Sequence, residues 1–335
     1  MISRPARQAS LRPARRSPAI PASEHAALAM RLTRRDRWIL RMLHEHRVLT
    51  TPQLAVLAFP TLKIARRRLL LLHHAGVVDR FRPFRAAGSA PAHWVLAPAG
   101  AAVLAAEIGV DVRDIGYRSE RAVGIAHSLT LAHTVGVGDW FTSLATNPHR
   151  DSGLTVWWSE TRCQRLWGDL ARPDGYGRYT HRGHSLDFFL EYDLGSENTG
   201  QVTRKLHDYA ELARTTGITT PLLIWTPTTD REAHLRHALT TTHRDLPDPD
   251  AVPIATAAAD LLHHLGPSAS PADRAWLPLE SAATERLRLH QLATTWTHLN
   301  VAAQKDTAAT TGSLDPAPHQ PFPAPPPLPP RDEPL

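Results

Sequence analysis

Pro173-Asp174 and, one hairpin later, Phe188-Phe189-Leu190-Glu191-Tyr192-Asp193 decide how this chain is read. Side chains two apart on a strand share a face. Asp187, Glu191 and Asp193 are therefore expected on one side of the second segment, with Phe188, Leu190, Tyr192 and Leu194 on the other. A sheet that gathers carboxylates on one wall suits a hard divalent cation, which takes one or two carboxylates and completes its shell with water and phosphate oxygens. Such a wall could hold Mg²⁺ or Mn²⁺ against a phosphodiester.

Working outward, the segments flanking this core alternate helix and strand patterns as a mixed α/β (α+β) domain does. Ile125 to Leu144 reads as a helix, Leu154 to Trp158 as a strand, and Ala171 to Asp193 as a strand and hairpin. Thr199 to Arg214 reads as a helix, Pro221 to Thr226 as a buried strand, and Asp230 to Leu239 as a helix. A central mixed sheet is expected over residues 121–292.

The preceding segment, residues 32–120, reads differently. Thr33 can cap a helix through His46 with Trp38, Ile39, Met42 and Leu43 on one face. Thr50-Thr51-Pro52 opens a second helix, and Thr61 opens a third that ends at Gly76. Val77 to Phe84 and His93 to Leu96 flank a turn and read as a hairpin. Three helices and a hairpin make a winged helix-turn-helix, in which the third helix would meet the major groove. Lys63, Arg66 and Arg67 share a face of that helix by three- and four-residue spacing; Arg68 falls outside it. Arg80, Arg82 and Arg85 belong to the hairpin.

The charge balance agrees with a polyanionic partner. The chain has 335 residues, 38 Lys and Arg against 32 Asp and Glu, and a formal net charge of +6. Nine arginines lie between Arg4 and Arg37 against Glu24 and Asp36 alone, which suggests a polyanionic partner, most simply nucleic acid; with the winged helix, double-stranded DNA is the expected partner. Residues 1–31 are expected to be a disordered basic arm, and residues 293–335, rich in proline, a disordered tail. A single cysteine, Cys163, excludes a disulfide framework and a cysteine-rich zinc site. No apolar run approaches a membrane span, and a cytoplasmic, nucleoid- or plasmid-associated protein is expected. There is no His-Glu-x-x-His, no phosphate-binding GxxxxGK[ST] loop and no GxSxG. Gly175-x-Gly177 lacks the third glycine of a dinucleotide site.

The acidic half resembles the PD-(D/E)XK nuclease superfamily, whose first acid follows a proline and whose second lies two residues before a lysine. Here that lysine position holds Asp193. Lys205 and Tyr209, four apart in the next helix, look like the Gln-Leu-x-x-Tyr helix of some members, with lysine in place of glutamine. The resemblance implies that Asp174 and Glu191 hold metal and that Lys205 steadies the nucleophile, with Tyr209 and Asp193 in support.

A second resemblance covers residues 33–292. Leu32-Thr33-Arg34-Arg35-Asp36, the Arg-rich third helix, Trp158-Ser159-Glu160, Arg172-Pro173-Asp174, Leu190-Glu191-Tyr192-Asp193, Lys205 to Tyr209 and Ala275-Trp276-Leu277-Pro278 occur in the order seen in the replication-relaxation family of plasmids and integrated elements. It implies action on mobile-element DNA in replication, relaxation or transfer, with other replication or transfer proteins as further partners. Two readings stay open: metal-dependent DNA nicking, or a non-catalytic DNA-binding accessory factor or regulator with a degenerate nuclease-like domain.

Overall fold

Thr33 starts the first helix because its side chain and that of Asp36 satisfy each other's backbone. The Asp36 N–H donates to Thr33 Oγ1 at 3.2 Å and the Thr33 N–H donates to Asp36 Oδ2 at 2.8 Å, a reciprocal capping box. The computed structural model describes residues 30–84, 88–128, 130–146, 151–195, 198–266, 268–279, 285–296, 298–299 and 323–330. These fall into two units divided between Val135 and Gly136. The expected arginine arm up to residue 29 and Arg85 lie outside the described residues, as does most of the expected proline-rich tail.

In the first unit, α1 (Arg34–His46), α2 (Thr51–Ala58) and α3 (Leu62–His74) precede β2 (Val78–Phe81) and β3 (His93–Leu96). Thr50 and Thr61 cap α2 and α3 through their side chains, and Gly76 takes φ +73° after α3, a backbone that only glycine adopts without strain. The strand β1 (Leu49–Thr50) joins the hairpin to give the order β1-β3-β2, all antiparallel. Trp38, Ile39, Met42 and Leu43 are buried as the 3.6-residue period requires. A fourth helix, α4 (Pro98–Glu107), binds back to α1 through Glu107, which accepts from Arg37 at 3.2 Å and Arg41 at 2.7 Å.

The unit extends further than the expected boundary near residue 120. After α5 (Ser119–Gly124), a single 3-10 turn at Ile125–His127 buries Ile125 and Ala126 against Val48, Phe81 and Val95. The one long helix expected from Ile125 to Leu144 is therefore broken. Ser128 takes an extended backbone, ψ 135°, and α6 runs only from Leu131 to Ala145.

The second unit is built on a six-stranded mixed sheet in the order β4-β5-β6-β7-β8-β9. β4 (Ser152–Ser159), β5 (Gly175–His181) and β6 (His184–Tyr192) form an antiparallel meander. β7 (Leu222–Thr226) and β8 (Ile254–Ala258) run parallel to β6, and β9 (Leu277–Pro278) closes the edge antiparallel. Helices α8 (Thr199–Thr216) and α9 (Thr229–Arg244) make the parallel crossovers, α7 (Glu160–Trp167) joins β4 to β5, and α10 (Asp260–Leu265) follows β8.

Both sheet faces are apolar and covered. On one, Trp140 and Phe141 of α6 meet Trp157, Phe188, Trp225 and Trp276. A Cβ on Gly177 would lie 2.3 Å from Phe188, and one on Gly175 2.7 Å from Phe141, so these glycines make room for rings. On the other, Tyr176, Phe189, Leu222, Ile224 and Ile254 pack under Cys163, Val202, Leu206, Tyr209, Leu235 and Leu239. Leu194, expected on the apolar wall, is 44% exposed, because β6 ends two residues earlier. Arg236 fastens the far edge, donating to the carbonyls of Leu277 and Pro278 at 2.7 and 3.0 Å.

Two parts of the segment expected as a disordered proline-rich tail, residues 293–335, are among the described residues. The helix α11 (Leu292–Thr295) leads to Trp296, which is buried. Far beyond it, Pro325 and Pro327 are also buried, and Pro323–Pro327 groups with the second unit. A polyproline segment keeps its shape without internal hydrogen bonds, so covering a surface costs it little ordering entropy.

Asp36 also ties α1 to α3, since Arg68 donates through Nε to Oδ1 at 2.8 Å and through a second nitrogen to Oδ2. Burial pushes the Asp36 carboxyl up, but the hydrogen bonds from Arg68 and Thr33 and the Arg68 charge together hold it below 3.8. Folded, this carboxyl releases its proton more readily than unfolded, so its stabilisation is complete above about pH 4 and drains as pH falls through the folded value. Asp36→Ala is expected to cost the first unit about 2 kcal/mol, read as faster amide exchange in α1. In Asp36→Asn the acid-induced increase of that exchange should be blunted.

Candidate functional site

In the second unit, strand register sets the geometry. Gly175 pairs with Leu190, so Asp174 and Glu191, each one residue on in opposite directions, stand opposite one another. The Asp174 N–H donates to Leu190 O at 3.0 Å, and Asp174 Oδ2 accepts from the Tyr192 N–H at 2.7 Å. The carboxylate is thus anchored at the end of β5 and turned toward β6. Phe189 and Glu191 share the face that α8 covers, which places the Glu191 side chain between sheet and helix.

The helix α8 supplies both partners of Glu191. Asn198 caps it, and four-residue spacing puts Lys205 and Tyr209 on one stripe. Lys205 Nζ donates to Glu191 Oε2 at 2.5 Å, and the Tyr209 hydroxyl donates to Oε1 at 2.5 Å. Glu191 is 4% exposed. Burial and the Asp174 charge raise its pKa, against the pull of Lys205 and Tyr209, to about 7. Burial and the neighbouring Glu191 also push the Tyr209 phenol well above its ordinary value, keeping it a hydrogen-bond donor.

Asp174, Glu191, Lys205 and Tyr209 therefore come together. Asp193 and Asp187 do not join them. Asp193 Oδ2 accepts from Arg231 Nε at 2.6 Å and its Oδ1 from the Gly195 N–H at 2.6 Å, while Asp187 holds Arg178 through two hydrogen bonds of 2.6 and 2.8 Å. The expected wall of carboxylates is a row of ion pairs; Glu191 and Asp193, which are buried, need a cation to stay charged, whereas the Asp187 pair is partly exposed. Arg231, on α9, is the residue the sequence reading missed. Its one visible signal is a place in the first turn of a helix that follows a parallel strand.

Among the described residues, no three His, Cys, Asp or Glu side chains converge closely enough to hold a metal ion on their own. The pair Asp174 and Glu191 nonetheless fits the donor chemistry of Mg²⁺ or Mn²⁺, which needs only one or two carboxylates. Each Glu191 oxygen keeps a second lone pair beside the one its hydrogen bond occupies.

In the first unit, α3 exposes Lys63, Arg66 and Arg67, while Arg68 turns in to Asp36. Arg80 lies over the Trp94 ring, 5.7 Å from its centroid, and Arg82 donates to Ser89 Oγ at 2.8 Å. No acid occurs in α3.

Together these features define a two-unit mixed α/β protein with a buried acid, lysine and tyrosine cluster on its larger sheet. The family model described as replication-relaxation matches residues 40–223, more than half of the chain, and the chain belongs to that family. The match includes Lys63, Arg66, Arg67, Asp174, Glu191, Lys205 and Tyr209, and stops short of Arg231. No curated protein and no solved structure matches the chain. No helix among the described residues is long and apolar enough to cross a membrane.

The Asp193 pair is open to a direct test. Arg231→Met strands a buried carboxylate and is expected to cost about 3 kcal/mol of the second unit's stability in urea unfolding. Adding Asp193→Asn should recover roughly half of that, because the stranded charge is removed. A double variant no more stable than the single one would show that Arg231 acts through its other contacts.

Proposed function

We propose that the protein acts on duplex DNA of a plasmid or mobile element, in replication or relaxation, and that its second unit nicks that DNA with a divalent cation. Family membership supports the biological setting. The observation that carries the chemistry is the Lys205 ammonium on Glu191 at 2.5 Å, with Asp174 held opposite by the Tyr192 N–H. A lysine that β6 lacks reaches Glu191 from α8 instead, which supports this reading.

In this reading the first unit is a winged helix-turn-helix that docks α3 in the major groove, with Lys63, Arg66 and Arg67 toward DNA and Arg80 and Arg82 on the wing. Asp174 and Glu191 would hold Mg²⁺ or Mn²⁺, which when bound supplies Lewis-acid stabilisation of the phosphodiester and a more acidic water. Lys205 balances the charge of Glu191 and would orient a nucleophile. Tyr209 fixes the Glu191 carboxylate by donating to the other oxygen. Asp193, bound to Arg231, takes no direct part; it braces the end of β6 against α9.

One observation favours a second reading, that of a DNA-binding accessory factor. Asp193 fills the usual lysine position and is neutralised by Arg231, while both Glu191 oxygens already carry hydrogen bonds. Nicking of supercoiled plasmid with Mg²⁺ or Mn²⁺ separates the two. The wild type should produce open circles, and Asp174→Ala should slow this about a hundredfold or more; equal background from both proteins selects the accessory factor.

Arg66→Ala with Arg67→Ala is expected to weaken duplex binding and to flatten the slope of log affinity against log salt by about 2, as two phosphate contacts are lost. Unchanged affinity and slope would assign α3 to another partner.

A further inference from the structure

We propose that Ile64 reads the methyl group of thymine in the major groove, making α3 a helix that selects sequence as well as gripping phosphates. This rests on the duplex binding proposed above. Ile64 is 48% exposed, on the flank of a helix that buries Ala65, Leu69 and Leu72. It sits in the first turn after the Thr61 cap, the part of such a helix that comes nearest base edges.

Its neighbours define the ligand. At 100° per residue, Ile64 lies about 60° around the helix from Arg67 and on the flank away from Arg66. Arg68, which follows along the four-residue ridge and would otherwise cover it, is drawn away to Asp36. What remains is an uncovered branched methyl surface beside the exposed cations Lys63 and Arg67, on a helix without a single acid. Leu71, seven residues on along the same flank, is 50% exposed and lengthens the apolar strip. A protein surface matching this strip would have to be apolar and strongly acidic at once. Duplex DNA offers both within one groove, phosphates along the rims and the thymine C5-methyl as the apolar group on the major-groove edge. Lys63 and Arg67, on the outermost line of the helix, have the chemistry to pair with guanine O6 and N7. The site class is duplex DNA in which thymine adjoins guanine.

The full chain is used to enrich duplexes from a random library, and each thymine of the enriched site is then replaced by uracil, which removes the methyl group alone. At one or two positions uracil should weaken wild-type binding about fourfold, the worth of one methyl-sized group. Ile64→Ala should lose a similar factor, keep the wild-type salt slope because no phosphate contact is lost, and be indifferent to uracil at those positions. Alanine is a better helix former than isoleucine, so the helix survives the change. An enriched site with no uracil-sensitive thymine, or an Ile64→Ala protein still sensitive to uracil, overturns the assignment while leaving duplex binding intact. Absence of any duplex binding by the wild type overturns the broader reading as well and points to a protein partner for α3.

Discussion

A carboxylate that water cannot reach must be met by a proton or a cation, and Glu191 imposes that condition on the whole second unit. It stands near the end of the central strand β6, under α8, with Asp174 adding a second negative charge from β5. The ammonium of Lys205 and the hydroxyl of Tyr209 answer it from one helical stripe, so the pitch and position of α8 over the sheet are set by an electrostatic need as much as by Val202, Leu206 and Leu212. Two residues further on, Asp193 repeats the demand and α9 answers with Arg231. Both crossover helices are thus registered against β6 by ion pairs, while the opposite face is packed with aromatic rings.

The first unit solves a related problem with one residue. Asp36 caps α1, satisfies Thr33 and holds Arg68. Because it absorbs one of the three consecutive arginines, the cations left on the outer face of α3 are Lys63, Arg66 and Arg67, which share one side of the helix. A structural ion pair therefore sharpens the surface beside it, by removing a guanidinium that would mask Ile64.

Local chemistry was the most legible part of the sequence. Thr33, Thr50 and Thr61 announce the three helix starts because a cap acts within three residues, and the spacing of Lys205 and Tyr209 is likewise a property of one helix. The inward turn of Arg68 was readable from helical spacing, though its partner 32 residues earlier was not. Arg231 stayed hidden because it lies 38 residues from Asp193 and only the parallel crossover brings the two together. The strand alternation around Glu191 also held, but a period of two says which side chains share a face and nothing about what covers it. For that reason the acids read as an open wall where the fold makes pairs. The break at Ser128 went unread because an apolar helical pattern runs on both sides of it. Gly175 and Gly177 stand in β5, where the rings of Phe141 and Phe188 leave no room for a Cβ, a tertiary reason that spacing does not carry.

The buried prolines near the C-terminus alter what counts as the edge of this molecule. Pro325 and Pro327 are shielded from solvent after a long stretch of chain, and each brings a φ angle already fixed by its ring. A protein shortened before Pro323 is consequently not the same body with a loose end removed. The ground those two rings occupy would be newly wetted, and the solubility or self-association of such a fragment would report on that bared patch rather than on the intact chain.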